Sequence, residues 1–205
     1  MWLALALMLS QEFEKTHAFS QDADAAHYAQ GIAKKLTATA TVRIVNDKAV
    51  RAAAFRPDRV YLTALLVARA VNEAELAGVL AHEIAHTQEP PEAVARLDPE
   101  SGLCARFAFM KSPGDTDGRQ RERRADEAAI RMLTAAGYDP AAMLAFFNKL
   151  RREDLQLPAA FSAEDLLLEK LELEATDHPL KDAVLNTSEF DRVRARMIVN
   201  PSLKP

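Results

Sequence analysis

Apolar residues recur at helical spacing between Asp22 and Leu36, where Ala26, Ala29, Ile32, Ala33 and Leu36 share one face. Thr41 to Asn46 alternates and is rich in β-branched side chains, which predicts a strand. Pro57-Asp58 reads as a turn and Arg59 to Thr63 as a second strand. Ala64 to Ala70 predicts a short helix. Asn72 is a good N-cap for a longer one, with Glu75 in capping-box position, and Pro90-Pro91 stops that helix after about Gln88. Leu97 to Gly118 contains Pro99, Gly102, Pro113, Gly114 and Gly118, and reads as a loop-rich excursion with one apolar helical turn near Leu103 to Met110. Arg119 to Ala136 is a strong helical pattern closed by Gly137. Asp139-Pro140 opens a helix running to about Arg152. Ser162 is placed to cap a helix through Glu172, and Ser188 one from Glu189 to Val199. A helix, two short strands and then mostly helices define an α+β class, with a small sheet beside a helical core.

Composition narrows this picture only slightly. A chain of 205 residues, 49% hydrophobic and 27% charged, can bury the core of one domain. A net charge of -4 gives no general electrostatic reason to bind nucleic acid or an acidic membrane surface. The single cysteine, Cys104, allows no disulfide within the chain and leaves the redox compartment open. Met1 to Leu9 is apolar but too short to span a bilayer. It reads either as the h-region of a secretory signal cut near Ser10, or as a helix packed on the domain. No Lys or Arg precedes it; even so, an exported or membrane-peripheral location is slightly favoured over a cytoplasmic one. The expected organisation is a signal or hydrophobic segment over residues 1–20 and a single domain over 21–205.

The chemistry lies in His82-Glu83-Ile84-Ala85-His86. Histidines four apart on a helix project from one face, so both imidazoles can bind one tetrahedral zinc. Glu83 is then beside the metal without being forced to bind it, where it can act as general base. A catalytic zinc site needs a third protein ligand. Glycine and histidine three and six residues after His86 would supply a metzincin extension, but Glu89 and Glu92 stand there. Glu122 and Asp126, also four apart, offer the alternative: Glu122 on the metal, and Asp126 accepting the other N–H of a ligating histidine. Taken alone, that helix reads as a solvated face paired with Arg119, Arg121, Arg123 and Arg124; beside the histidine pair, the ligand reading prevails. Should Glu122 fail, Glu92 and Asp98 are the next candidates, while His17 and His27 have no motif context.

Four motifs occur in order: Glu75 to His86, then Glu122-x-x-Ala125-Asp126-x-x-Ala129, Ala136 to Pro140, and His178-Pro179. Together they resemble the HtpX, Oma and CAAX-prenyl-protease family of zinc metallopeptidases, across about Tyr28 to Met197. The resemblance implies a zincin-like fold and a gluzincin site, with one zinc on His82, His86 and Glu122, Glu83 as base and Asp126 as hydrogen-bond partner. It implies that His178 lines the site and hydrogen-bonds the oxyanion. It further implies an edge strand before the catalytic helix, matched by Val60 to Thr63, on which a polypeptide substrate is added as an extra strand. Gly78 has two open readings, close approach of a strand or substrate and tight helix packing.

The chain departs from the family in three places. The segment from His86 to Glu122 is short, so a lid or membrane hairpin there is trimmed. The turn before the edge strand reads Phe55-Arg56-Pro57-Asp58 instead of carrying a glycine pair. An arginine usually follows the His-Pro pair; here Val184 stands near that place and Arg192 is the nearest downstream candidate. The expected function is zinc metalloendopeptidase, acting on unfolded or membrane-proximal proteins. The alternative is a zinc-containing binding or chaperone-like module with little turnover. Nucleic-acid binding through Arg119 to Arg124 is disfavoured by the acidic net charge and the lack of interleaved aromatics.

Overall fold

The structure, a computed structural model, describes residues 2–88, 116–152 and 183–199. The expected features near Leu103, the Ser162 helix, His178, Glu92 and Asp98 lie outside them. In chain order the elements are α1 (Trp2–Thr16), α2 (Ala23–Leu36), β1 (Thr41–Val45), β2 (Ala52–Phe55), β3 (Arg59–Thr63), α3 (Ala64–Arg69), α4 (Glu73–Thr87), α5 (Thr116–Ala135), α6 (Ala141–Arg152) and α7 (Ser188–Val199). The chain is mostly helical with a small sheet, as the α+β reading expects.

The sheet departs from expectation in two ways. It has three strands in the order β1-β3-β2, and β2 is the one not foreseen. Ala52-Ala53-Ala54 lacks the β-branched alternation that marks a strand, and it is held by antiparallel pairing with β3, Ala52 opposite Leu62 and Phe55 opposite Arg59. The second correction concerns Val60 to Thr63, expected at the edge. They form the middle strand, with β1 parallel on one side and β2 antiparallel on the other. The physical reason is visible in burial: Val60, Tyr61, Leu62 and Thr63 are all buried, as a strand covered on both faces requires. The outer side of β1 is partly taken, since Ser20 N–H donates to Ile44 O at 2.8 Å and Asn46 N–H to Ala18 O at 2.8 Å. Among the described residues, no strand pairs with the outer side of β2.

Alternation along the strands divides the core. Val42, Ile44, Val60 and Leu62 belong to the main cluster with α2 and α4, while Val45, Phe55 and Tyr61 form a second cluster with Leu9, Phe13 and Phe19. α1 therefore lies across the second sheet face. The Phe13 ring is 4.6 Å from Tyr61 and 5.2 Å from Phe55. Beside it the Glu14 carboxylate takes Arg43 at 3.0 Å, Arg59 at 3.1 Å and the Tyr61 hydroxyl at 2.7 Å.

α4 runs through the interior, with every residue from Glu73 to Thr87 buried. Asn72 caps it, accepting from Glu75 N–H at 2.8 Å, and Glu75 returns to Val71 N–H at 2.9 Å. Glu73 anchors the same end. Its carboxylate accepts from the Tyr28 and Tyr138 hydroxyls, each at 2.5 Å, from Lys35 at 3.1 Å and from the Thr187 hydroxyl. α5 ends as expected: Gly137 takes φ +80°, Tyr138 N–H reaches Leu133 O at 2.9 Å, and Gly137 N–H reaches Thr134 O at 3.1 Å. The last helix is capped one residue earlier than expected, by Thr187, whose hydroxyl accepts from Phe190 N–H at 3.2 Å. No helix among the described residues is long and apolar enough to cross a membrane.

Candidate metal centre

His82 and His86 stand one turn apart on α4, and Glu122 reaches them from α5. All three are buried. Their donor atoms lie within 4.8 Å of one another: His82 Nε2 and His86 Nε2 are 3.0 Å apart, and Glu122 Oε2 is 3.4 Å from the first and 3.5 Å from the second. Donors bound to one tetrahedral zinc at about 2.0–2.1 Å are about 3.3 Å from each other, so this set has the right size. The Glu122 carboxylate makes the stronger case. Both of its oxygens are buried and receive no hydrogen bond among the described residues. A buried carboxylate left so is costly unless a cation completes it. Two imidazoles and a carboxylate are the donor set zinc prefers.

Each neighbour adds an electrostatic bias. His82 Nδ1–H donates to Asp126 Oδ1 at 2.8 Å, which turns Nε2 toward the shared position. Burial disfavours the charged imidazole, yet Asp126 and Glu122 outweigh it and hold the His82 pKa well above its ordinary range. Burial also works against the Glu122 anion, but His82 and His86 overcome it and keep that carboxyl well below the usual range. Glu83 shows the reverse balance: burial raises its pKa, and the two histidines only partly oppose this. One Glu83 oxygen is buried with no hydrogen-bond partner among the described residues. This is the environment of a carboxylate poised to take a proton.

The Gly78 ambiguity resolves toward packing. A Cβ placed there would stand 2.6 Å from Met143 Cβ and 2.9 Å from Met143 Cα, so the missing side chain admits α6, not a substrate strand. Arg192 is exposed on α7, which packs on α3 and α2 instead of on α5. Sequence reasoning passed over Phe147, whose ring centre is 5.8 Å from that of His82. In an amphipathic segment such as Ala141 to Arg152, a phenylalanine gives no signal beyond core packing.

Comparison with known proteins agrees with the motif reading. Residues 19–94 match peptidase family M48. Among curated relatives, the putative beta-barrel assembly-enhancing protease of Vibrio cholerae is 33% identical over 140 residues, covering 55% of this chain and 28% of that protein. The beta-barrel assembly-enhancing protease of Yersinia pestis is 33% identical over 132 residues (52% and 27% covered), and that of Escherichia coli K12 29% over 134 residues (52% and 27%). The chain thus spans little more than a quarter of the length of these relatives. The resemblance read from the motifs is borne out at modest identity. The family match ends at residue 94, ahead of α5, so the place of Glu122 rests on the geometry itself.

Proposed function

We propose that the chain is a zinc-dependent metalloendopeptidase, holding one zinc on His82, His86 and Glu122. The observation that carries this reading is the buried Glu122 carboxylate, facing both histidines and otherwise without a hydrogen bond among the described residues. The family match and the protease names of its relatives agree with it. Zinc bound there supplies a Lewis acid that polarises the scissile carbonyl and lowers the pKa of a water to about 7. Glu83, its pKa raised by burial, accepts the proton of the attacking water and passes it to the leaving amine. Asp126 keeps His82 in the tautomer that presents Nε2. His178 is proposed as the group that hydrogen-bonds the oxyanion.

The substrate class is an extended polypeptide, either unfolded or close to a membrane. With β3 in the middle of the sheet, the strand whose outer side is unpaired among the described residues, and that packs on α4, is β2. Substrate backbone added there binds through main-chain hydrogen bonds and tolerates many sequences. The peptidase domain is proposed over residues 21–205, with 1–20 as a hydrophobic N-terminal segment whose helix α1 packs on the sheet. Metal content and cleavage of an unfolded protein together test the assignment. Glu83→Gln should retain zinc and lose cleavage by about a hundredfold or more, the scale of a lost general base. Glu122→Ala should lose both. Cleavage that survives in Glu83→Gln rejects the mechanism; zinc that survives in Glu122→Ala rejects the ligand set.

A further inference from the structure

Asp126 holds the imidazole of His82 at Nδ1, and Nε2 stands 3.0 Å from His86 Nε2 and 3.4 Å from Glu122 Oε2. A further constraint comes from α6. The Phe147 ring stands nearly perpendicular to the His82 ring, 77° between planes and 5.8 Å between centres. Phe147 is 6% exposed and His82 2%, so the contact is dry. Aromatic rings in this edge-to-face relation attract each other and resist rotation. The approach depends on Gly78, one turn before His82, against which Met143, one turn before Phe147, closes to the limit of contact.

We propose that Phe147 is a positioning residue for the metal centre, fixing the tilt of the His82 ring so that Nε2 meets the position shared with His86 and Glu122. The role rests on the zinc reading above. Truncating the ring should let His82 reorient and loosen the metal while leaving every ligand in place. A residue that only filled the core would cost stability without touching metal affinity. Phe146 provides that comparison: it is fully buried and adjacent in the same core cluster, while the ring contact with His82 is made by Phe147.

The test is zinc affinity by chelator competition, with the visible spectrum of the cobalt-substituted protein as a reporter of ligand geometry. The proteins are wild type, Phe147→Ala, Phe147→Leu and Phe146→Ala. Phe147→Ala should weaken zinc about tenfold, the lower end of what groups supporting a ligand contribute. Phe147→Leu keeps most of the volume, so it folds even if the alanine variant does not, and it should still shift the cobalt bands. Phe146→Ala should lose stability with zinc affinity and spectrum unchanged. Wild-type affinity and spectrum in Phe147→Leu overturn the positioning role alone. Loss of zinc in Phe146→Ala equal to that in the Phe147 variants also overturns it. A wild-type protein that binds no zinc overturns this role together with the reading beneath it.

Discussion

Gly78 and Met143 are packed to the point where no Cβ fits between them: one built on Gly78 stands 2.6 Å from Met143 Cβ and 2.9 Å from its Cα. Two effects of opposite sign compete at this position. Replacing a helical glycine by alanine gains about 1 kcal/mol of helix propensity. Overpacking a close-packed contact costs about 1–3 kcal/mol, and here the obstacle is Met143 Cβ and Cα, atoms fixed to the main chain that do not swing aside. Packing should win. Gly78→Ala is expected to lose on the order of 1 kcal/mol in urea unfolding, and Gly78→Val more. A Gly78→Ala protein more stable than wild type would mean that α4 and α6 separate easily.

Asp126 reaches His82 Nδ1 at 2.8 Å, from one turn beyond Glu122 on the same helix. One helix thus supplies both the proposed third ligand and the acceptor that orients the first. Asp126→Ala removes the acceptor and keeps helix propensity, so the fold should survive. Zinc affinity is expected to fall about 10- to 100-fold, the usual cost of losing such a partner. Chelator competition reads this directly. An unchanged affinity would show that packing alone orients the ring.

What could be read from the chain in advance was what local chemistry dictates. The Asn72 cap, the stop after Gln88 and the left-handed Gly137 each follow from a residue or two, and each stands as expected. The meeting of Glu122 with the two histidines, from another helix, was anticipated because a catalytic zinc would need a third ligand. What escaped was set by distant partners. Ala52 to Phe55 becomes a strand only because β3 pairs with it. The same pairing moves Val60 to Thr63 from the edge to the middle of the sheet. Phe147 matters only for what stands opposite it. The Glu73 cluster draws on α2, the turn after α5 and the approach to α7, and no spacing in the sequence announces such a meeting.

That cluster yields a dependence of stability on pH. Glu73 is 1% exposed at the start of the proposed catalytic helix. Burial alone would raise its pKa. Hydrogen bonds from Thr187, Tyr138, Tyr28 and Lys35 outweigh burial and bring it below the ordinary value of 4.5. The folded state therefore binds this proton less readily than the unfolded one. The stabilisation is present above the ordinary value and is lost as pH falls through the lowered one. The tyrosines behave in mirror image. Burial first, and then the Glu73 anion, push Tyr28 and Tyr138 well above their ordinary 10.0, so their contribution is present below that value and fades as pH climbs past it. Tyr61, raised by burial and by Glu14, adds to the same alkaline limb, so differences between variants are the useful quantity. Glu73→Gln should lose about 2 kcal/mol near neutrality, the scale of hydrogen bonds to a charged group. Its deficit against wild type should shrink as the pH falls through the lowered Glu73 value, below which both carry a neutral side chain. Tyr28→Phe should flatten the alkaline limb and soften the acid limb less, since Thr187, Tyr138 and Lys35 still hold the Glu73 anion. Urea unfolding of the metal-free proteins across pH measures both. A Glu73→Gln deficit that stays constant into acid would assign the cluster to packing and remove the carboxylate charge from the account.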